Sequence, residues 1–184
     1  MNKRVKIIFT LFVIIFRFQL HGQSPVQDQD IDPAYLQSIS HYESGRYQKA
    51  KMGFNQYLKL GKTNSFLVGS HFYLAQIEIE VNQNLEPMIQ FANHYKAETF
   101  YMKALFSLGD YHFRSRDFKK AITYLYQIRA GILVEHLYVK ARFNLAYSLY
   151  MEKIFNKALP LFKEVTHYEQ KDKINAHYLS LIHN

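Results

Sequence analysis

The chain has 184 residues, of which 48% are hydrophobic and 16% aromatic, so it holds enough apolar material for a packed interior. Only 7 Gly and 4 Pro are present, which is little turn chemistry for a fold of many short strands and favours helices. The absence of cysteine excludes disulfides, thiolate catalysis and cysteine-based zinc sites.

The N-terminal segment, "MNKRVKIIFTLFVIIFRFQLHGQ", has the layout of a secretory signal peptide. A basic start precedes an apolar run of 10 residues, Ile7 to Phe16. Spanning a bilayer takes about 20 apolar residues, so a membrane anchor is the weaker alternative. We expect residues 1–22 to be a signal peptide cleaved after Gly22, and residues 23–33 to be a linker.

Cleavage would change the charge that other molecules meet. Removing the four basic residues of the leader lowers the formal net charge from +8 to +4. These residues are Lys3, Arg4, Lys6 and Arg17. A mildly basic, exported protein is a poor candidate for nucleic-acid binding. We therefore expect the protein in the periplasm or cell envelope, without a nucleic-acid partner and with membrane contact only through the uncleaved leader.

Three segments repeat one sequence pattern: "SHYESGRYQKAKMGFNQYL", "DYHFRSRDFKKAITYLYQI" and "YSLYMEKIFNKALPLFKEV". In each, aromatic residues precede a polar break, and a second stretch carries an alanine followed by large apolar residues. A small residue lies twelve positions before each alanine. The pairs are Ser38 with Ala50, Gly109 with Ala121, and Ala146 with Ala158. Small residues at paired positions let two helices approach closely, so the pattern predicts helical hairpins.

This pattern resembles the tetratricopeptide repeat, a helix-turn-helix unit of about 34 residues. The third and fourth repeats carry it best. Their matching residues are Leu108-Gly109, Phe118, Ala121 and Leu125, then Leu145-Ala146, Phe155, Ala158 and Phe162. The second repeat is degenerate, because Pro87 stands at the alanine position and Asn84 replaces the aromatic residue. We expect Asn84 to cap the helix and Pro87 to lie in its first turn.

A signal peptide followed by irregular Tyr- and Phe-rich repeats also resembles the N-terminal part of long tetratricopeptide proteins exported by Bacteroidota. The resemblance implies an all-α solenoid of about four irregular repeats over residues 34–178, plus a partial fifth. Residues 179–184 are then an incomplete last helix. Either the chain is a fragment of a longer protein, or it ends in a genuine half-repeat.

The basic, aromatic stretch "YHFRSRDFKK" could be taken for a single-strand-binding surface. In the repeat alignment, however, Arg114 to Asp117 form the turn of a hairpin. The equivalent turns read "ESGR" and "MEKI", with mixed charges, so no basic stripe runs along the array. We interpret these charges as solvated.

Catalytic patterns are missing from the sequence. Nine histidines include no HExxH pair, and there is no glycine-rich phosphate loop. The tripeptide His-Tyr-Glu occurs at 41–43 and 167–169, at positions that are not equivalent within the repeats. We expect no enzyme, no catalytic residue, no metal site and no cofactor.

The predicted function is an exported scaffold that binds other proteins or peptide segments in a concave groove. The alternative is an envelope carbohydrate- or lipid-handling module, although the lack of tryptophan disfavours sugar stacking. Either the aromatic groove takes a ligand or neighbouring helices fill it. The groove positions are Tyr35, Tyr42, Phe72, Gln76, Ile79, Phe106, Asp110, Phe113, Arg114, Phe143, Tyr147 and Tyr150.

Overall fold

The computed structural model describes residues 32–61, 65–96 and 99–172. The predicted signal peptide and incomplete last helix lie outside these residues. The described residues form helices joined by turns and loops, with no strand among them, which confirms the all-α fold. The helices are α1 (Pro33–Glu43), α2 (Tyr47–Lys59), α3 (Ser65–Asn82), α4 (Glu86–His94), α5 (Thr99–Arg114), α6 (Phe118–Leu125), α7 (Glu135–Met151) and α8 (Phe155–Asp172).

Consecutive helices pair into four hairpins, and each hairpin stacks on the next. The first helices of neighbouring hairpins also contact each other: α1 with α3, α3 with α5, and α5 with α7. Within the described ranges the backbones of the second helices do not approach one another in this way. This one-sided pattern is that of a helical repeat solenoid, in which the first helices form a continuous layer. We call the exposed side of that layer the inner face.

The core is divided along the array as the repeat arrangement requires. One apolar cluster joins hairpin 1 to α3, a second joins α3, α4 and α5, and a third joins the two C-terminal hairpins. The alanines of the three regular repeats, Ala50, Ala121 and Ala158, are all buried. Each hairpin therefore depends on its neighbours for burial of its apolar faces.

The small residues lie where helices approach most closely. A Cβ added at Gly109 would lie 2.5 Å from Cγ of Leu125, so α5 and α6 leave no room for a side chain there. In hairpin 1 a Cβ at Gly53 would collide with Ser38. Ser38 itself is buried, and its hydroxyl donates to the carbonyl of Ala34 at 2.8 Å.

The degenerate second repeat still forms a hairpin, with a short second helix, α4. The N-cap of α4 is Leu85 and not Asn84 as predicted; the Asn84 side chain, one residue earlier, accepts a hydrogen bond from the backbone N–H of Glu86 at 3.1 Å. Pro87 lies in the first turn of α4, where its missing N–H would have no helical partner. The proline therefore leaves the helix intact.

The turns of three hairpins share one backbone geometry. Gly45, Arg116 and Lys153 have φ of 68°, 60° and 61°, in the left-handed region. In each turn the backbone N–H of the residue that follows donates a hydrogen bond to the carbonyl five residues before it. These bonds are Arg46 to His41 (2.8 Å), Asp117 to His112 (2.9 Å) and Ile154 to Leu149 (2.8 Å). Only the first of these three turns uses glycine, so the other two carry backbone strain.

We expect Arg116→Gly to raise the free energy of unfolding by about 0.5–1 kcal/mol. The left-handed conformation costs a non-glycine residue about 1–2 kcal/mol, and glycine's extra unfolded-state entropy offsets part of that gain. Urea denaturation followed by circular dichroism measures the change. Arg116→Ala is the matched control, because alanine removes the charge and keeps the strain. Equal stability of the two variants would contradict the explanation.

Candidate partner-binding surface

The structure places the predicted groove residues in three different environments. Four are buried: Tyr35, Phe72, Ile79 and Asp110. Six are half-buried: Tyr42, Gln76, Phe106, Phe113, Phe143 and Tyr147. Arg114 and Tyr150 are exposed. A continuous open aromatic groove over all four repeats is therefore not what the described residues form.

In the N-terminal half, the predicted groove residues belong to the core. The Tyr35 ring packs among Phe54, Tyr57 and Phe66, at centroid distances of 5.8, 5.5 and 5.0 Å. Phe72 packs against Phe91 at 5.8 Å. The prediction that Tyr35, Phe72 and Ile79 line a groove is wrong, because these side chains are buried in the apolar clusters that each first helix forms with its own second helix and with the next hairpin.

The other two predicted positions of this half are partly enclosed. The Tyr42 ring contacts Tyr47 and Tyr73, and burial raises the pKa of its phenol. The Gln76 amide donates to Glu80 at 2.8 Å, while its oxygen has no partner among the described residues. At neither position is a free aromatic ring available to a ligand.

In the C-terminal half, aromatic rings fill the junction between α5 and α7. Phe113 and Phe118 contact the Tyr147 ring at 5.6 and 6.0 Å. Phe143 contacts Tyr147 at 6.2 Å and Phe162 of α8 at 6.1 Å. Tyr150, at the end of α7, contacts Phe155 at 5.4 Å. These rings form one contiguous aromatic surface, in which Phe113, Phe143 and Tyr147 are half-buried.

Asp110 is the centre of a polar cluster between α5 and α7. Its Oδ1 accepts from Asn144 Nδ2 at 3.0 Å and lies 2.9 Å from Lys140 Nζ. Its Oδ2 accepts from Arg114 Nε at 3.1 Å. We call these four residues the Asp110 cluster. Asp110 does not itself line an open groove as predicted, since its side chain is only 12% exposed and its oxygens are occupied by partners.

The two cations of the cluster remain accessible. The side chains of Arg114 and Lys140 are 57% and 54% exposed, and Lys140 also lies over the Phe106 ring. Lys103 lies seven residues before Asp110 on α5, over the ring of Phe100, where burial lowers its pKa. This part of the array therefore presents more positive than negative charge.

Lys140 and Asn144 were not among the residues predicted from sequence. They lie four positions apart on α7, as residues on one helix face do, and Asn144 is 34 residues, about one repeat, from Asp110. That spacing was the available signal. The spacing alone does not show that Asp110 and Asn144 touch, because that also requires contact between neighbouring first helices.

A separate cleft of about 510 Å³ lies between α2, α3 and α4. Its lining includes Lys51, His71, Glu78, His94 and Tyr95. Hydrogen bonds from Lys51 (2.6 Å) and Asn82 (2.7 Å) hold the pKa of Glu78 below its usual value. Burial, together with His94, lowers the pKa of His71. The Glu78 carboxylate is therefore already engaged by Lys51 and Asn82.

Two further classes of site are missing from the described ranges. The described residues contain no group of three or more metal-ligating His, Cys, Asp or Glu side chains. No helix in them is long and apolar enough to cross a bilayer. The His-Tyr-Glu at 41–43 lies at the end of α1, and the copy at 167–169 lies within α8.

Comparisons with known proteins leave the family open. No protein-family model matches the chain, and no curated protein matches it. Among solved structures, MamA AMB-1 aligns with 17% identity and a TM-score of 0.41, over 81% of this chain and 95% of that one. The fold is accordingly assigned from the helix contacts of the chain itself.

Proposed function

We propose that the protein is a non-enzymatic scaffold that binds a segment of another protein on the inner face of its two C-terminal hairpins. The observation that carries the proposal is the Asp110 cluster, in which a buried carboxylate holds two exposed cations beside half-exposed aromatic edges. Groups held in place before binding lose less conformational freedom on association. Aromatic residues and arginine are also enriched at protein interfaces.

The alternative of carbohydrate or lipid handling has less support. Sugar stacking needs a free ring face, and the rings at this surface contact one another. Tyr147, for example, is in contact with Phe113, Phe118 and Phe143. We therefore retain protein or peptide partners as the proposed ligands.

The proposed location is the cell envelope, on the strength of the basic and apolar leader in residues 1–22. N-terminal sequencing of the protein from an envelope fraction should give Gln23 as the first residue. Membrane-bound protein that retains Met1 would contradict the cleavage proposal.

The binding proposal is tested with a variant that removes charge without leaving a buried carboxylate alone. Arg114→Gln, Asp110→Asn and Lys140→Gln together make the cluster neutral, whereas the wild-type cluster is positive, and they retain hydrogen-bonding groups. The control is Lys119→Gln with Lys163→Gln, at exposed positions on the second helices α6 and α8. Both should keep the helical circular dichroism spectrum of the wild type.

Each protein is used as bait in an envelope extract, and captured proteins are quantified by mass spectrometry. We expect at least one protein that the wild type and the control capture equally, and that the triple variant captures at least about tenfold less, equivalent to ~1.4 kcal/mol. An identical captured set for all three baits would overturn the assignment of this face.

A further inference from the structure

We infer that the segment bound at the Asp110 cluster is acidic, with carboxylate side chains among apolar residues. This inference rests on the proposed function and adds the chemistry of the partner. Two cations, Arg114 and Lys140, surround one buried carboxylate, so the cluster keeps a net positive charge.

The hydrogen-bonding capacity of the cluster is only partly used. Arg114 uses Nε to reach Asp110, and its two terminal nitrogens have no hydrogen-bond partner within the described residues. A guanidinium in this state can bind a carboxylate through charge-assisted hydrogen bonds. Lys140 approaches Asp110 with one ammonium that carries three donors, so it too can bind a second acceptor.

The two N-terminal hairpins carry the opposite charge at the position equivalent to Arg114, and hairpin 4 has the neutral Met151 there. Counting five residues beyond the small residue of each first helix gives Glu43 in hairpin 1, Glu80 in hairpin 2 and Arg114 in hairpin 3. Glu43 and Glu80 are both exposed. At this position of the first helices, an acidic segment is therefore repelled by hairpins 1 and 2 and attracted by hairpin 3, which favours binding at hairpin 3.

Apolar residues of the bound segment can contact aromatic side chains near the Asp110 cluster. Phe106, Phe113 and Tyr147 are half-buried on the same two helices; Lys140 lies over the Phe106 ring, and Phe113 contacts Tyr147. Burying such side chains stabilises a complex, while charged groups supply specificity and rate. The structure thus favours alternating acidic and apolar residues over a purely acidic run.

The experiment uses three fluorescein-labelled twelve-residue peptides that share Phe and Leu positions and carry Glu, Gln or Lys at the remaining ones. Fluorescence anisotropy gives the Kd of each peptide for the wild type, the triple variant and the Lys119→Gln with Lys163→Gln control. We expect the Glu peptide to bind at least about tenfold more tightly than the Gln peptide, and the Lys peptide most weakly. This preference should disappear in the triple variant, persist in the control, and weaken with added salt.

The inference is overturned by equal binding of the Glu and Gln peptides, by a preference that survives in the triple variant, or by no binding of the Glu peptide at all. These outcomes are separable from failure of the proposed function. Envelope capture that depends on the Asp110 cluster, combined with no preference for Glu, would preserve the scaffold and remove only the acidic partner.

Discussion

Replacing Phe72 with alanine should lower the free energy of unfolding by about 3–5 kcal/mol. The Phe72 side chain is 6% exposed and packs against the rings of Phe91 and Phe100. Its removal leaves a cavity that the surrounding helices can fill only partly, because α3 is held by α4 and α5 on both sides. Urea denaturation of the full chain measures the loss.

Tyr150→Ala is the control for this prediction. Tyr150 belongs to the same predicted groove, yet it is 44% exposed and its ring packs against Phe155 across the turn between α7 and α8. We expect the substitution to cost less than about 1 kcal/mol. If Phe72→Ala were as mild as Tyr150→Ala, Phe72 would line an open groove as the sequence pattern predicted, and our correction would be wrong.

Gly109→Ala should destabilise the protein by about 1–3 kcal/mol, although alanine is the better helix former. The added Cβ would lie 2.5 Å from Cγ of Leu125, so α5 and α6 must move apart or Leu125 must leave its position. Leu125→Ala alone should cost about 2–5 kcal/mol, because that side chain is fully buried.

Combining the two substitutions should reverse the sign of the glycine effect. With alanine at position 125 the clash is gone, and replacing Gly109 with alanine then gains up to about 1 kcal/mol of helix propensity. The double variant should therefore be more stable than Leu125→Ala alone, a coupling that a double-mutant cycle measures directly. An equal cost of Gly109→Ala in both backgrounds would show that close approach of these helices is not the reason for glycine here.

The hairpin architecture could be predicted from the sequence because its determinants are local. The spacing of twelve between Gly109 and Ala121 is set within one hairpin, and the turn at Arg114 to Asp117 follows from the same alignment. The local hydrogen bond of Asn84 to Glu86 spans only two residues, although the N-cap of α4 is Leu85 and not Asn84 as predicted. Such contacts depend little on how hairpins stack.

The surface could not be predicted as well, because it depends on stacking between hairpins. The repeat pattern does not reveal that Phe72 and Ile79 lie in the apolar cluster that α3 shares with α4 and α5, instead of on the inner face. Asp110 was recognised as a face position, and its partners on α7 were not. Their identity follows only from the contact between α5 and α7.

The inner face of α5 and α7 is the proposed surface for recognition of a partner. Hydrogen–deuterium exchange of the full chain, with and without saturating Glu peptide, tests this most directly. We predict added protection in α5 around Asp110 and Arg114 and in α7 around Lys140, with none in α2 or α4. Protection centred on α2 and α4, beside the cleft that contains His71 and Tyr95, would place binding elsewhere and contradict the proposal.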